Sequence, residues 1–169
     1  ANAQASDAGS YTCVITNSVS SVTSTPAVLS FGPTAWLSNV SVRTALSSNQ
    51  IMIVGFTVQG GSKDVLVRAI GPTLGVFGVP GTMVDPKADL YRGNTIVSSN
   101  DNWPASLAST FARLGAFALP ESSKDAALVQ LMDGGYTVQV SGALGGVVLV
   151  EGYDAGTGSS CRLINLSAR

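Results

Sequence analysis

From residue 36 onward the apolar residues come in short runs rich in Val, Ile and Leu, each cut by Gly, Pro, Asn, Asp or Ser. Runs of this length, bounded by turn residues, are strands. They cover residues 36–43, 51–58, 65–70, 88–91, 95–98, 126–132, 136–140, 147–153 and 163–168. Nine short strands with Gly-Gly or Gly-Asn turns predict an all-β unit, an antiparallel β-sandwich or jelly roll. One segment breaks the pattern. Pro104 opens a stretch in which Leu107, Phe111 and Leu114 recur at helical spacing and Gly115 supplies a stop, which predicts one short helix lidding an end of the sandwich.

The first 30 residues form a separate pattern. Ser10 to Thr16 sets Tyr11, Cys13 and Ile15 against polar neighbours, and Val19 to Leu29 is rich in Ser, Thr and Val, which predicts a β-hairpin. Phe31-Gly32-Pro33 punctuates the chain. The domain organisation expected is therefore an arm and linker over residues 1–33 and a β-sandwich module over 34–169. The length of 169 residues suits one ordinary domain with such an arm and excludes two large ones.

Charge and composition exclude several functions. Nine Lys+Arg stand against ten Asp+Glu, so no basic excess marks a nucleic-acid or anionic-membrane surface. Histidine is absent, which removes the commonest general base and most zinc sites. No apolar run approaches the roughly 20 residues of a membrane helix. The chain is expected not to be an enzyme, to carry no cofactor, and to insert in no membrane. No Lys/Arg-led apolar segment opens it, so export implies a leader upstream or already removed.

The module also echoes itself. Leu37-Ser-Asn-Val-Ser-Val-Arg43 and Leu163-Ile-Asn-Leu-Ser-Ala-Arg169 share the pattern L-x-N-[VL]-S-x-R. Four identities in seven make this a repeat signal, with chance similarity between strands as the competing account. On that pattern, together with Val65-Leu-Val-Arg-Ala-Ile-Gly-Pro72, Ser99-Asn-Asp-Asn-Trp103 and Gly135-Tyr-Thr-Val-Gln-Val-Ser-Gly142, residues 37–169 resemble a tandem repeat module of large secreted or cell-surface proteins of environmental bacteria. The segments at 99–103 and 136–142 are also similar to bacterial pre-peptidase C-terminal domains. In the arm, Asp7-Ala-Gly-Ser-Tyr-Thr-Cys13 resembles the D-x-G-x-Y-x-C signature of immunoglobulin-like domains. That resemblance implies a tyrosine corner at Tyr11 and the F-G hairpin of a domain whose other strands are missing. Together these resemblances imply a secreted or surface location and no reaction.

Several residues are candidates for a site. Spacing alone leaves Cys13 and Cys161 open between a disulfide and two unrelated thiols. The immunoglobulin resemblance leaves Cys13 without its usual partner, and with it we expect a Cys13–Cys161 disulfide, within or between subunits. Asn100, Asp101 and Asn102 offer oxygens of the kind calcium takes, with Asp125, Asp133 and Asp154 as further donors, but EF-hand spacing is missing and Asx-rich turns commonly satisfy their own backbone. Gly71 to Gly81 reads as a tight apolar loop without the Lys of a phosphate loop. Trp36, Trp103, Tyr91, Tyr136 and Tyr153 are core residues or a sugar-stacking platform. Arg43, Arg68 and Arg169 are fixed structural pairs, with Glu151 among the partners, or contacts between subunits. The sequons at Asn39 and Asn165 lie inside apolar strands and are discounted as glycosylation sites.

Two functions follow as expectations. The first is an extracellular structural subunit that self-associates head to tail, into a filament or surface array, by strand addition of its arm through Tyr11, Val14, Ile15, Val19, Val22, Val28 and Leu29. Its partners are copies of itself or neighbouring domains of a tandem protein. The alternative is a carbohydrate-binding or adhesive accessory module that meets surface glycans.

Overall fold

The computed structural model describes residues 3–30, 37–157 and 161–169, and the side chains of Ala5 and Leu166 are outside the description. The linker at 31–35, the 33/34 boundary and Trp36 lie outside the described residues. The chain divides into two compact units, residues 1–35 and 36–169.

The first unit is one antiparallel hairpin in two ladders. β1 (Gly9–Tyr11) pairs with β4 (Ala27–Leu29), and β2 (Val14–Thr16) pairs with β3 (Ser21–Thr23). Pro26 has no N–H to give, and the ladder is interrupted beside it. Across the break the Ser24 N–H donates to the Cys13 carbonyl at 2.8 Å, and the Cys13 N–H donates to Ser24 Oγ at 2.9 Å. The tip is an Asx turn, in which Asn17 Oδ1 accepts from the N–H groups of Val19 and Ser20. The Tyr11 hydroxyl donates to the Asp7 carbonyl four residues upstream at 2.6 Å.

The second unit is all-β, with β5 (Asn39–Leu46), β6 (Met52–Ile70), β7 (Lys87–Arg92), β8 (Thr95–Asn100), β9 (Ala126–Ser141), β10 (Gly146–Asp154) and β11 (Arg162–Ala168). Nine expected strands become seven because two pairs merge into the long strands β6 and β9. The glycines that read as turns act as bulges instead. Gly60 and Gly61 take φ of 92° and 131°, Gly134 lies opposite at 74°, and the β6–β9 register slips between Val58 and Lys63. A bulge bends a paired ribbon without ending it. Here it carries both strands from one layer into the other.

The first half of β6 lies between β11 and the second half of β9, which continues to β7 and β8. The second half lies between β10, which continues to β5, and the first half of β9. The result is an antiparallel sandwich. Between the layers Val54, Phe56 and Val58 meet Val65, Val67 and Ala69, with Leu90, Val138, Val140, Val148 and Val150 filling in. Burying each side chain of this size contributes about 1.5–3 kcal/mol.

The helical segment is placed differently from the sequence expectation. A 3-10 turn (Ala105–Leu107) leads into a seven-residue α-helix (Ala108–Leu114), stopped by Gly115 at φ 70°. It does not lid an end. Its Phe111, with Trp103, Ala116 and Leu119, packs on Leu66, Ile70, Ala127 and Tyr153, the outer face of the β10–β6–β9 layer. The reason is legible in Val65-Leu-Val-Arg-Ala-Ile70, which apart from Arg68 is apolar without alternation, as in a strand covered on both faces. The Gly71 to Gly81 loop also holds a short helix, Pro72–Val76.

Candidate functional site

Most chemically active groups of the module are consumed internally. Arg68 and Glu151 face each other across the β6–β10 ladder. Arg68 is fully buried, donates from Nε and Nη2 to Glu151 Oε2 at 2.8 and 2.6 Å, and donates from Nη1 to the Phe117 carbonyl. Its guanidinium lies over the rings of Phe117 and Phe111 at 4.4 and 4.8 Å. The Tyr153 hydroxyl donates to Glu151 Oε1 at 3.2 Å. Burial first, then the Glu151 charge, push the Tyr153 phenol above its usual value. Of the two readings of Arg68, the fixed structural pair is the one present.

Two further buried sites escaped the sequence reading. Asp125 Oδ1 accepts from the Gly71 N–H at 2.7 Å, and Oδ2 accepts from the hydroxyls of Thr73 and Ser123, so this carboxylate caps the Gly71–Val76 turn. Lys63 lies at the β6 bulge, 2.8 Å from Asp154 Oδ2, and donates to the Cys161 carbonyl at 2.6 Å. The local signals were an S-x-D spacing and a lysine beside the Gly-Gly bulge. Neither says which distant strand supplies the partner.

The other candidates disperse. Asn100 Nδ2 donates to the Asn102 carbonyl, Asn102 Nδ2 donates to Asp101 Oδ1, and Asn100 Oδ1 accepts from the Ala127 N–H, the self-satisfied Asx turn that competed with calcium. Asp125 and Asp154 are engaged as above, and Asp133 pairs with Arg92 and Tyr136. The Trp103 ring is core, 6% exposed, and its Nε1 donates to the Pro120 carbonyl. Tyr136 and Tyr153 are buried too, so these rings form no exposed platform. Cys13 and Cys161 are thiols, not a disulfide. Cys13 is exposed on the hairpin, while the half-buried Cys161 thiol donates to the Gly60 carbonyl at 3.2 Å. Cys161 is held in the module beside the bulge, and Cys13 lies in the hairpin unit.

What remains outward-facing is sheet edge and exposed apolar strand. In the hairpin Tyr11, Val14, Ile15, Val19, Val22 and Val28 are all exposed, from 52% for Tyr11 to 89% for Val19, and Leu29 is half-buried. In the module β5, β8 and β11 each pair with one described strand only. Between β5 and β11 runs an open groove of about 450 Å³, lined by Val42, Arg43, Leu46, Ile51, Ala168 and Arg169 among others. Both copies of L-x-N-[VL]-S-x-R lie at this seam, in or beside edge strands. Asn39 and Asn165 lie within β5 and β11, inside strands as expected, and their side chains are exposed.

The chain matches no family model, no curated protein and no solved structure.

Proposed function

We propose that the chain is an extracellular structural protein, a β-sandwich subunit that associates head to tail with copies of itself by strand addition of its N-terminal hairpin. The observation that carries this reading is the hairpin's exposure. Six large apolar side chains stand in solvent on a two-stranded ribbon, which gains stability only when a further sheet covers or extends it. The module offers acceptors in the unpaired N–H and C=O groups of its edge strands. A hairpin that joins an edge on the next copy makes a heterologous contact, and one that does not close builds a filament. The bond from the Tyr11 hydroxyl to the Asp7 carbonyl has the form of a tyrosine corner and supports a hairpin of immunoglobulin-like descent.

Negative-stain microscopy of the full chain, beside a chain starting at residue 34, tests this reading. Filaments or linear arrays of the full chain, lost in the shortened one, are expected. Monodisperse particles from both would overturn it.

A further inference from the structure

The two copies of L-x-N-[VL]-S-x-R occupy edge strands in the same phase but pair through opposite edges. In the first copy the Asp154 N–H donates to the Ser38 carbonyl at 2.8 Å, and Asn39 stands opposite Tyr153. Backbone groups alternate along an antiparallel strand. The backbone of Ser38, Val40 and Val42 therefore faces β10, and that of Asn39, Ser41 and Arg43 faces the open edge. In the second copy Arg169 exchanges both bonds with Ile53, each at 2.9 Å. Arg169, Ser167 and Asn165 thus turn their backbone to β6, and Leu166 and Ala168 turn theirs to the open edge.

On the inward face Leu37 and Val42 pack on the core and Leu163 is in it, while Ala168 stands opposite the core residue Val54 and is itself exposed. The step from Leu163 to Asn165 carries a register shift, which brings the second copy into the phase of the first. One sequence therefore serves two neighbours without conflict, using its third, fifth and seventh positions toward a β6 and its fourth and sixth toward a β10.

We infer that β11 is a shared strand: its open edge takes the β10-type strand of a second module of this same fold that follows in tandem, for which Leu163–Arg169 is the first strand. The first module's β6 layer and the second module's β10 layer then run on as one sheet. The inference concerns the far end of the module and does not depend on the hairpin.

A tandem chain tests it, made of residues 1–169 followed directly by residues 44–169, so that the second module has Leu163–Arg169 as its only first strand. In the single chain the amides of Leu166 and Ala168 are expected to exchange fast and that of Arg169 slowly. In the tandem, Leu166 and Ala168 should slow by more than about ten-fold. Ala168→Pro, which removes an N–H at the open edge, should leave the single chain's unfolding midpoint unchanged and lower that of the second module. Overturning results are junction amides that exchange in the tandem as in the single chain, a second module that stays unfolded, or an Ala168→Pro effect equal in both chains. A tandem without residues 1–33 should keep the junction protection while losing any filaments, so failure of the hairpin reading is separable from failure of this one.

Discussion

Arg68 shows how one residue can hold two layers together. Its charge is paired by Glu151 from the neighbouring strand, and its planar group lies over the rings of Phe111 and Phe117 from the covering layer. Removing one member of such a pair leaves the other charged and buried. Arg68→Met is expected to cost about 3–5 kcal/mol in denaturant unfolding, and Arg68→Met with Glu151→Leu much less. Tyr153 adds a pH dependence. Tyrosine in the unfolded chain loses its proton near pH 10, and folded Tyr153 keeps it to higher pH. The stability due to the neutral phenol is fully present below about pH 10 and is lost as pH rises through the folded value. Between about pH 9 and 11 Tyr153→Phe should therefore lose less stability than the parent, after a cost at neutral pH of about 1 kcal/mol for the hydrogen bond.

At the scale of elements, β6 and β9 matter more than any side chain, because their paired bulge makes two layers from one ribbon. Close approach of those layers needs a missing side chain at one point. Gly152 of β10 stands in register with the core residue Val67, and a Cβ there would lie 2.3 Å from the Phe56 ring of the facing layer. Gly152→Ala is expected to cost about 1–3 kcal/mol through overpacking. Phe56→Leu should recover part of this in the double variant, as a thermal-unfolding double-mutant cycle would show.

For the whole molecule, the exposed Cys13 on the hairpin bears on association. If the hairpin adds to another copy, an added two-electron oxidant can join Cys13 to Cys161 of the next copy, each thiol giving up its proton, and so lock the junction. A reductant-sensitive ladder on non-reducing gels, abolished by Cys13→Ser, is the expected result. An unladdered band from oxidised parent protein would count against a covalent junction.

The sequence by itself determined the all-β class, the hairpin and its apolar stripe, the helix at 104–114 and the repeated edge-strand pattern, because alternation, turn residues and helical spacing are local properties of the chain. Even the double burial of Val65–Ile70 has a local sign, a run that lacks alternation and is apolar at every position but Arg68. Only the tertiary structure decided that the glycines at 60–61 and 134 bend strands instead of ending them, since a glycine with positive φ serves a turn and a bulge equally well. It alone brought Arg68 to Glu151, Lys63 to Asp154 and Asp125 to Gly71, partners 54 to 91 residues apart. Such pairings depend on which strands become neighbours, and local chemistry does not encode that.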